Sequence, residues 1–207
     1  MDAENETLLW LADAGAVPEA TLAGWTHWLD ASERDRLSRF VRAERRRQFI
    51  AGRVMLRLAL GTLLRLPARA VRLRDRPGNA PALDIDVFPQ PGYSISHSGS
   101  WVACAVSAGA PVGLDIERID PSRDVLALAG QAFGSAVAAQ LSLLGSQERM
   151  HAFYRMWCRH EAQIKLGCES SHEEYVEMPG LAIALSSTRP FVVQAVKVDL
   201  AALMLAA

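Results

Sequence analysis

The amino-acid sequence predicts an α+β fold built as a pair of α+β halves, residues 1–110 and 111–207. Three observations predict it. Helical stretches are followed by strand-like stretches, and that order is given twice along the chain. Half of the 207 residues are apolar, enough for a substantial core in one domain or in two small ones packed together. No low-complexity linker separates the halves.

Thr7 to Leu11 reads as a short strand, followed by turn residues and a helix starting near Pro18. From Ser32 to about Leu66 the chain is helix-forming with few breakers. Asp30 or Ser32 is placed to cap this stretch, Gly52 and Gly61 are its weak points, and Pro67 closes it. Val71 to Arg74 alternates like a strand and leads into a loop, Asp75-Arg76-Pro77-Gly78-Asn79-Ala80-Pro81. Tyr93 to Ser96 is a second strand running into His97-Ser98-Gly99. Trp101 to Ser107 is short and apolar, and Val112 to Ile119 alternates again. After Asp120-Pro121 the chain turns helical in two stretches split near Gly145, the second from Gln147 to Leu166. Strand-like runs at Leu181 to Leu185 and Phe191 to Val198 complete it.

A formal charge of −1 and a pI of about 6.5 give no reason to expect nucleic acid or an anionic membrane as a partner. The longest apolar runs, around Val54 to Leu66, are interrupted by arginine too early to span a membrane. Three cysteines without CxxC spacing imply reduced thiols in a cytoplasmic protein, and the acidic N-terminus does not resemble a signal peptide. Charge is nevertheless uneven. Residues 31–57 hold nine arginines against Glu33, Asp35 and Glu44, either as a solvated helix face or, for a few of them, as an anion site.

Three segments carry chemistry. In Val112-Gly-Leu-Asp115-Ile-Glu117, alternation points Val112, Leu114 and Ile116 one way and Gly113, Asp115 and Glu117 the other. Two carboxylates on one face repel unless solvent or a cation offsets them. Magnesium, held through one or two carboxylates and substrate phosphates, meets that need; a solvated strand face is the other reading. In the second helical stretch Met150, Phe153, Trp157 and Ile164 form an apolar stripe on which Glu161 falls. Glu161 either serves a metal or a catalytic role there, or pairs with Lys165 one turn on. Ser94-Ile-Ser96-His97-Ser98-Gly99 offers several hydrogen-bond donors to a phosphate, but lacks the G-x-S-x-G setting of a hydrolase nucleophile. Structural hydrogen bonding by His97 is the alternative.

Together these segments resemble the 4′-phosphopantetheinyl transferase superfamily, in its two-lobed monomeric type. That family's V/I-G-x-D-x-E strand stands here as Val112-Gly-Leu-Asp115-Ile-Glu117. Its W-x-x-K-E-A-x-x-K helix stands as Trp157-Cys-Arg-His160-Glu161-Ala162-Gln-Ile-Lys165, and its S-H-S element as Ser96-His97-Ser98. The resemblance implies two similar α+β lobes with coenzyme A in the cleft between them. It implies Mg2+ held by Asp115, Glu117 and Glu161 with the coenzyme's pyrophosphate. His97 would contact the ribose 3′-phosphate, Ser96 would lie beside the nucleotide, and Arg47 and Arg53 match basic positions for coenzyme A. Glu161 is the implied base, and Lys165 stabilises phosphate charge or positions Glu161. The implied reaction moves phosphopantetheine to a serine of an acidic, helical acyl, peptidyl or aryl carrier protein.

Two departures stand out. Where the family commonly has G-K/R-P, this chain has Asn79-Ala80-Pro81, so a cation is missing unless Arg76 reaches in from the same loop. His160 replaces the lysine before the proposed base. A non-catalytic coenzyme A or nucleotide-binding protein on the same scaffold is therefore the main rival reading. A helical module whose arginine face binds an acidic protein is the second.

Overall fold

The computed structural model describes residues 6–76, 80–87 and 89–205. Nine strands and seven α-helices follow one another among them: β1 (Glu6–Asp13), α1 (Glu19–Gly24), α2 (Ala31–Ser38), α3 (Ala43–Leu64), β2 (Leu73–Arg74), β3 (Ala82–Leu83), β4 (Gly92–Ser98), β5 (Trp101–Ser107), β6 (Val112–Arg118), α4 (Val125–Phe133), α5 (Ser135–Ser142), α6 (Ser146–Leu166), β7 (His172–Met178), β8 (Leu181–Ser187), β9 (Val192–Lys197) and α7 (Leu200–Leu205). The molecule is mixed α+β, as the sequence predicts, with a long helix packed on a sheet in each of two similar regions.

The first sheet has the order β4-β5-β1-β9, antiparallel except that β9 runs parallel to β1, with Glu6 opposite Val192. A strand from the far end of the chain thus completes the first sheet. The second sheet, β6-β8-β7, is antiparallel, and β2 and β3 form a short separate pair. Period-two alternation sorts the side chains of β5: Val102, Cys104 and Val106 face α3, while Ala103 and Ala105 face the second sheet. There they meet Leu9 and Leu11 of β1, Val112, Leu114 and Ile116 of β6, and Leu181, Ile183 and Leu185 of β8. The far face of the second sheet carries Ala182 and Ala184 against Phe153, Tyr154, Cys158 and Ala162 of α6. The layers therefore run helix, sheet, sheet, helix.

Several local expectations shift. The helical stretch from Ser32 divides into α2 and α3 at residues 39–42, away from Gly52 and Gly61. Asp30 is its cap: its carboxylate accepts the Glu33 N–H at 2.7 Å, and the Glu33 carboxylate accepts the Asp30 N–H at 3.0 Å. Glu33 also takes a fully buried place between Arg53 and Arg57, bonding Arg57 Nη2 at 2.7 Å. That long-range ion pair turns α2 against α3. The helical region after Asp120 contains a further break, at Gly134 with φ 92°, giving α4 and α5 ahead of α6. The buried stripe of α6 is Phe153, Tyr154, Cys158 and Ala162, rotated from the predicted one, so that Ile164 is 57% exposed. β7 starts earlier than the strand-like tail suggested, at His172.

The two sheets are joined without a backbone ladder between β4 and β6. β6 is an edge strand, and its Leu114, Ile116 and Arg118 N–H groups donate to the hydroxyls of Ser94, Ser96 and Ser98 at 3.1, 3.3 and 3.0 Å. Alternate serines satisfy alternate donors that would otherwise be left unpaired at a buried edge.

Candidate functional site

Gly113 decides how close α6 lies to β6. A Cβ at that position would sit 2.0 Å from the Ala162 carbonyl oxygen and 2.7 Å from the Leu166 nitrogen. With no side chain in the way, the last turns of α6 rest directly on the acidic strand. Lys165 is brought over it as a result. Its Nζ donates to Asp115 Oδ1 at 2.7 Å and to Ser96 Oγ at 2.8 Å. Lys165 therefore pairs across the elements with Asp115, rather than with Glu161 along its own helix.

Asp115 is 5% exposed. Oδ1 also accepts the Ser96 hydroxyl at 2.9 Å, whereas Oδ2 is buried with no partner among the described residues. Glu117 is half-buried and accepts the Ser98 hydroxyl at 2.6 Å. Burial pushes its carboxyl above the usual range, and the Asp115 charge adds to the rise while the Ser98 hydrogen bond opposes it. Glu161 is partly buried on α6 and makes no side-chain hydrogen bond among the described residues. No group of three or more His, Cys, Asp or Glu side chains converges as a metal-holding cluster among those residues.

Beside the acidic strand opens a cleft of about 550 Å3, lined from both regions by Arg36, Arg45, Arg53, His97, Ile164 and Lys165 among others. Arg53 reaches this cleft, but it is buried and tied to Asp75 at 2.8 Å and to Glu33 at 3.2 Å; Arg36 shares the same Asp75 oxygen. Arg47 is not brought to the cleft. It pairs with Glu19 and donates to the Ala14 carbonyl at 3.0 Å and to the Val17 carbonyl, closing the turn after β1. Arg76 Nε donates to the carbonyl of Ala80, a cleft residue, at 3.0 Å, so its side chain does stay with this loop. Asn79 lies outside the described residues. His160 is exposed, edge-on to Phe133 with ring centres 5.4 Å apart.

Three residues hold places that the sequence does not assign to them individually. Arg45 Nη1 lies 2.6 Å from Nε2 and 3.0 Å from Nδ1 of His97, and no carboxylate pairs with Arg45 among the described residues. Nothing local distinguishes it from its eight arginine neighbours. Ser94 and Ser98 extend the role of Ser96, and their period-two spacing was the available signal.

Burial, and then the nearby Arg45 charge, lower the His97 pKa from 6.5 to about 4. Neutral His97 is thereby able to accept from Arg45. Between pH 4 and 6.5 the unfolded chain binds a proton at this residue that the folded chain does not, so this contribution to stability is lost as pH falls through that window. Glu117, shifted upward, acts in the opposite sense. Thermal melts of the wild type and His97→Gln isolate the histidine: the wild-type midpoint is expected to fall more steeply below pH 6.5. Parallel curves would show that His97 ionises as freely folded as unfolded.

Two family models match the chain in succession. Residues 18–109 match "4′-phosphopantetheinyl transferase, N-terminal", and residues 111–198 match the 4′-phosphopantetheinyl transferase superfamily. The chain is 30% identical to the 4′-phosphopantetheinyl transferase HetI of Nostoc sp. over 175 residues, covering 84% of this chain and 72% of HetI. It is 26% identical to AcpT of Escherichia coli, over 73% of this chain and 80% of that protein. Similarity to Sfp of Bacillus subtilis, at 28% identity, spans 67% of this chain but only 59% of Sfp. With both model matches falling on the sheets and helices that build the cleft, the chain belongs to the 4′-phosphopantetheinyl transferase superfamily.

Proposed function

We propose that this protein transfers the 4′-phosphopantetheine moiety of coenzyme A to a serine of an apo carrier protein, releasing adenosine 3′,5′-bisphosphate. The observation that carries this reading is the buried carboxylate of Asp115, with one oxygen unpartnered and the other bonded to Lys165, which lines a cleft rich in cations. An anionic group buried beside basic residues suits a metal–phosphate site, because each charge then has a counter-charge.

The donor set fits Mg2+. Asp115, Glu117 and Glu161 offer hard oxygen ligands, and magnesium commonly takes only one or two carboxylates together with substrate phosphates, so a protein-only cage is not required. When bound, Mg2+ supplies charge neutralisation on the pyrophosphate. The carrier serine oxygen forms a bond to the β-phosphorus while that phosphorus loses its bond to the oxygen of the departing bisphosphate. The serine proton passes to Glu161, directly or through water. Lys165, already aimed at Asp115 and Ser96, offers its ammonium to phosphate oxygens at the cleft wall. His97 and Arg45 stand together further along the cleft as ligands for the ribose 3′-phosphate. Arg53 and Arg76 support the coenzyme side, Arg53 mainly by holding the cleft in shape.

The partner is an acidic helical carrier protein, drawn by the arginine-rich surface of the first region. The lobes divide near residue 110, with β9 crossing back, and the protein acts as a cytoplasmic monomer. Among the described residues no helix is long and apolar enough to cross a membrane.

The test is the mass of a panel of apo carrier proteins after incubation with this protein, coenzyme A and Mg2+. A gain of one phosphopantetheine, lost when Mg2+ is omitted, is expected. Coenzyme A binding without any gain across the panel would favour the non-catalytic reading, consistent with Ala80 and His160.

A further inference from the structure

The three serines of β4 share one duty and differ in a second. Each accepts a backbone N–H from the free edge of β6, from Leu114, Ile116 and Arg118 in turn. A hydroxyl has one hydrogen and two lone pairs, so each serine still has a proton to donate. Ser96 donates its proton to Asp115 Oδ1 at 2.9 Å, and Ser98 donates its proton to Glu117 Oε2 at 2.6 Å. Each hydroxyl thus grips two consecutive residues of β6: a carboxylate, and the N–H that follows it. For Ser94 the equivalent preceding residue is Gly113, which has no side chain to receive the proton.

We propose that β4 is a positioning rail for the acidic strand, in which Ser98, with Ser96, is a positioning residue that orients Glu117 and Asp115 as ligands for the metal–phosphate site. The inference rests on the metal reading above. Its physical content is orientation. A hydroxyl bond to one carboxylate oxygen stops the group from rotating and leaves the other oxygen uncommitted, as Asp115 shows: Oδ1 is occupied by Ser96 and Lys165, and the buried Oδ2 is left without a partner. At 2.6 Å the Ser98–Glu117 bond has the length of a strong charge-assisted O–H···O− contact. Because the same hydroxyls also carry the strand edge, the carboxylates are held in register with the joint between the sheets.

Gly113 provides an internal control. Ser94→Ala and Ser98→Ala each leave one β6 N–H without its acceptor, but only Ser98→Ala releases a carboxylate. The measurement is Mn2+ binding, with no other ligand, followed by the electron paramagnetic resonance signal of the free ion. Wild type, S94A, S98A, S98T and D115N are compared, each with its thermal midpoint. Both alanine variants are expected to melt lower. S98A is expected to bind Mn2+ about 10–100-fold more weakly, the usual loss when an outer partner of a ligand is removed. S94A should stay near wild type, and S98T, which keeps the hydroxyl, should recover most of the affinity. Equal affinities in S98A and wild type, with D115N still abolishing binding, would overturn the serine role and leave the metal site standing. Equal losses in S94A and S98A would reduce the rail to a structural joint. Wild-type binding indistinguishable from D115N would remove the metal reading and this inference with it.

Discussion

Substituting Asp115 by asparagine is expected to lower phosphopantetheine transfer by at least about 1,000-fold, equivalent to roughly 4 kcal/mol of transition-state stabilisation. The change is isosteric, so the side chain still fits its buried place on β6, but it removes the charge that both Lys165 and a divalent cation would meet. The cost is mainly in chemistry rather than in folding. Losing the anion removes a proposed metal ligand and also leaves Lys165 facing a neutral amide across 2.7 Å, which alters where that ammonium rests. Initial rates of carrier-protein mass gain at saturating coenzyme A, read beside a thermal melt, check the result. A folded variant with wild-type rates would show that the acidic strand plays no part in the transfer. Glu161→Gln offers a useful contrast: it removes the proposed base, a side chain with no hydrogen-bonded partner among the described residues, so transfer is expected to fall while the thermal midpoint stays near that of the wild type.

The second large effect concerns packing. Gly113→Ala places a methyl 2.0 Å from the Ala162 carbonyl oxygen and 3.0 Å from its carbon, with the Leu166 nitrogen at 2.7 Å. All three are backbone atoms of α6 or its last turn, so no side-chain rotation relieves the clash. Destabilisation above the usual overpacking range of about 1–3 kcal/mol is expected. For a chain of this size that corresponds to a midpoint roughly 6 °C lower or more. Gly24→Ala is the matching control, since a Cβ there meets nothing within 4 Å. The same displacement would carry Lys165 away from Asp115, so any G113A protein that folds should also transfer poorly. A midpoint equal to wild type would mean that α6 does not rest on β6 as closely as described.

Much of the site was legible in the sequence because it depends on local periodicity. Alternation along residues 112–118 placed Asp115 and Glu117 on one face and three apolar residues on the other, and the hydrophobic clusters agree. Cap chemistry at Asp30, the strand through Ser96, and the long helix bearing Glu161 and Lys165 follow from the same short-range rules. The motif order also carried the family resemblance, which the matches to residues 18–109 and 111–198 support.

What the sequence could not determine was the choice of partners over long separations. Nine arginines between residues 31 and 57 look alike in a string of letters. Folding commits Arg57 and Arg53 to Glu33, Arg36 to Asp75 and Arg47 to Glu19, and brings Arg45 to His97. Likewise, Lys165 has Glu161 one turn away along its helix but bonds Asp115, because the absence of a side chain at Gly113 lets α6 settle onto β6. The pairing of β9 with β1, and the serine hydroxyls at the edge of β6, are decisions of the same kind. Side-chain period is set by bond geometry within a few residues, and a sequence displays it directly. Which charge or strand edge meets which depends on burial, where each donor must find an acceptor and each ion a counter-ion, and only the assembled layers decide that.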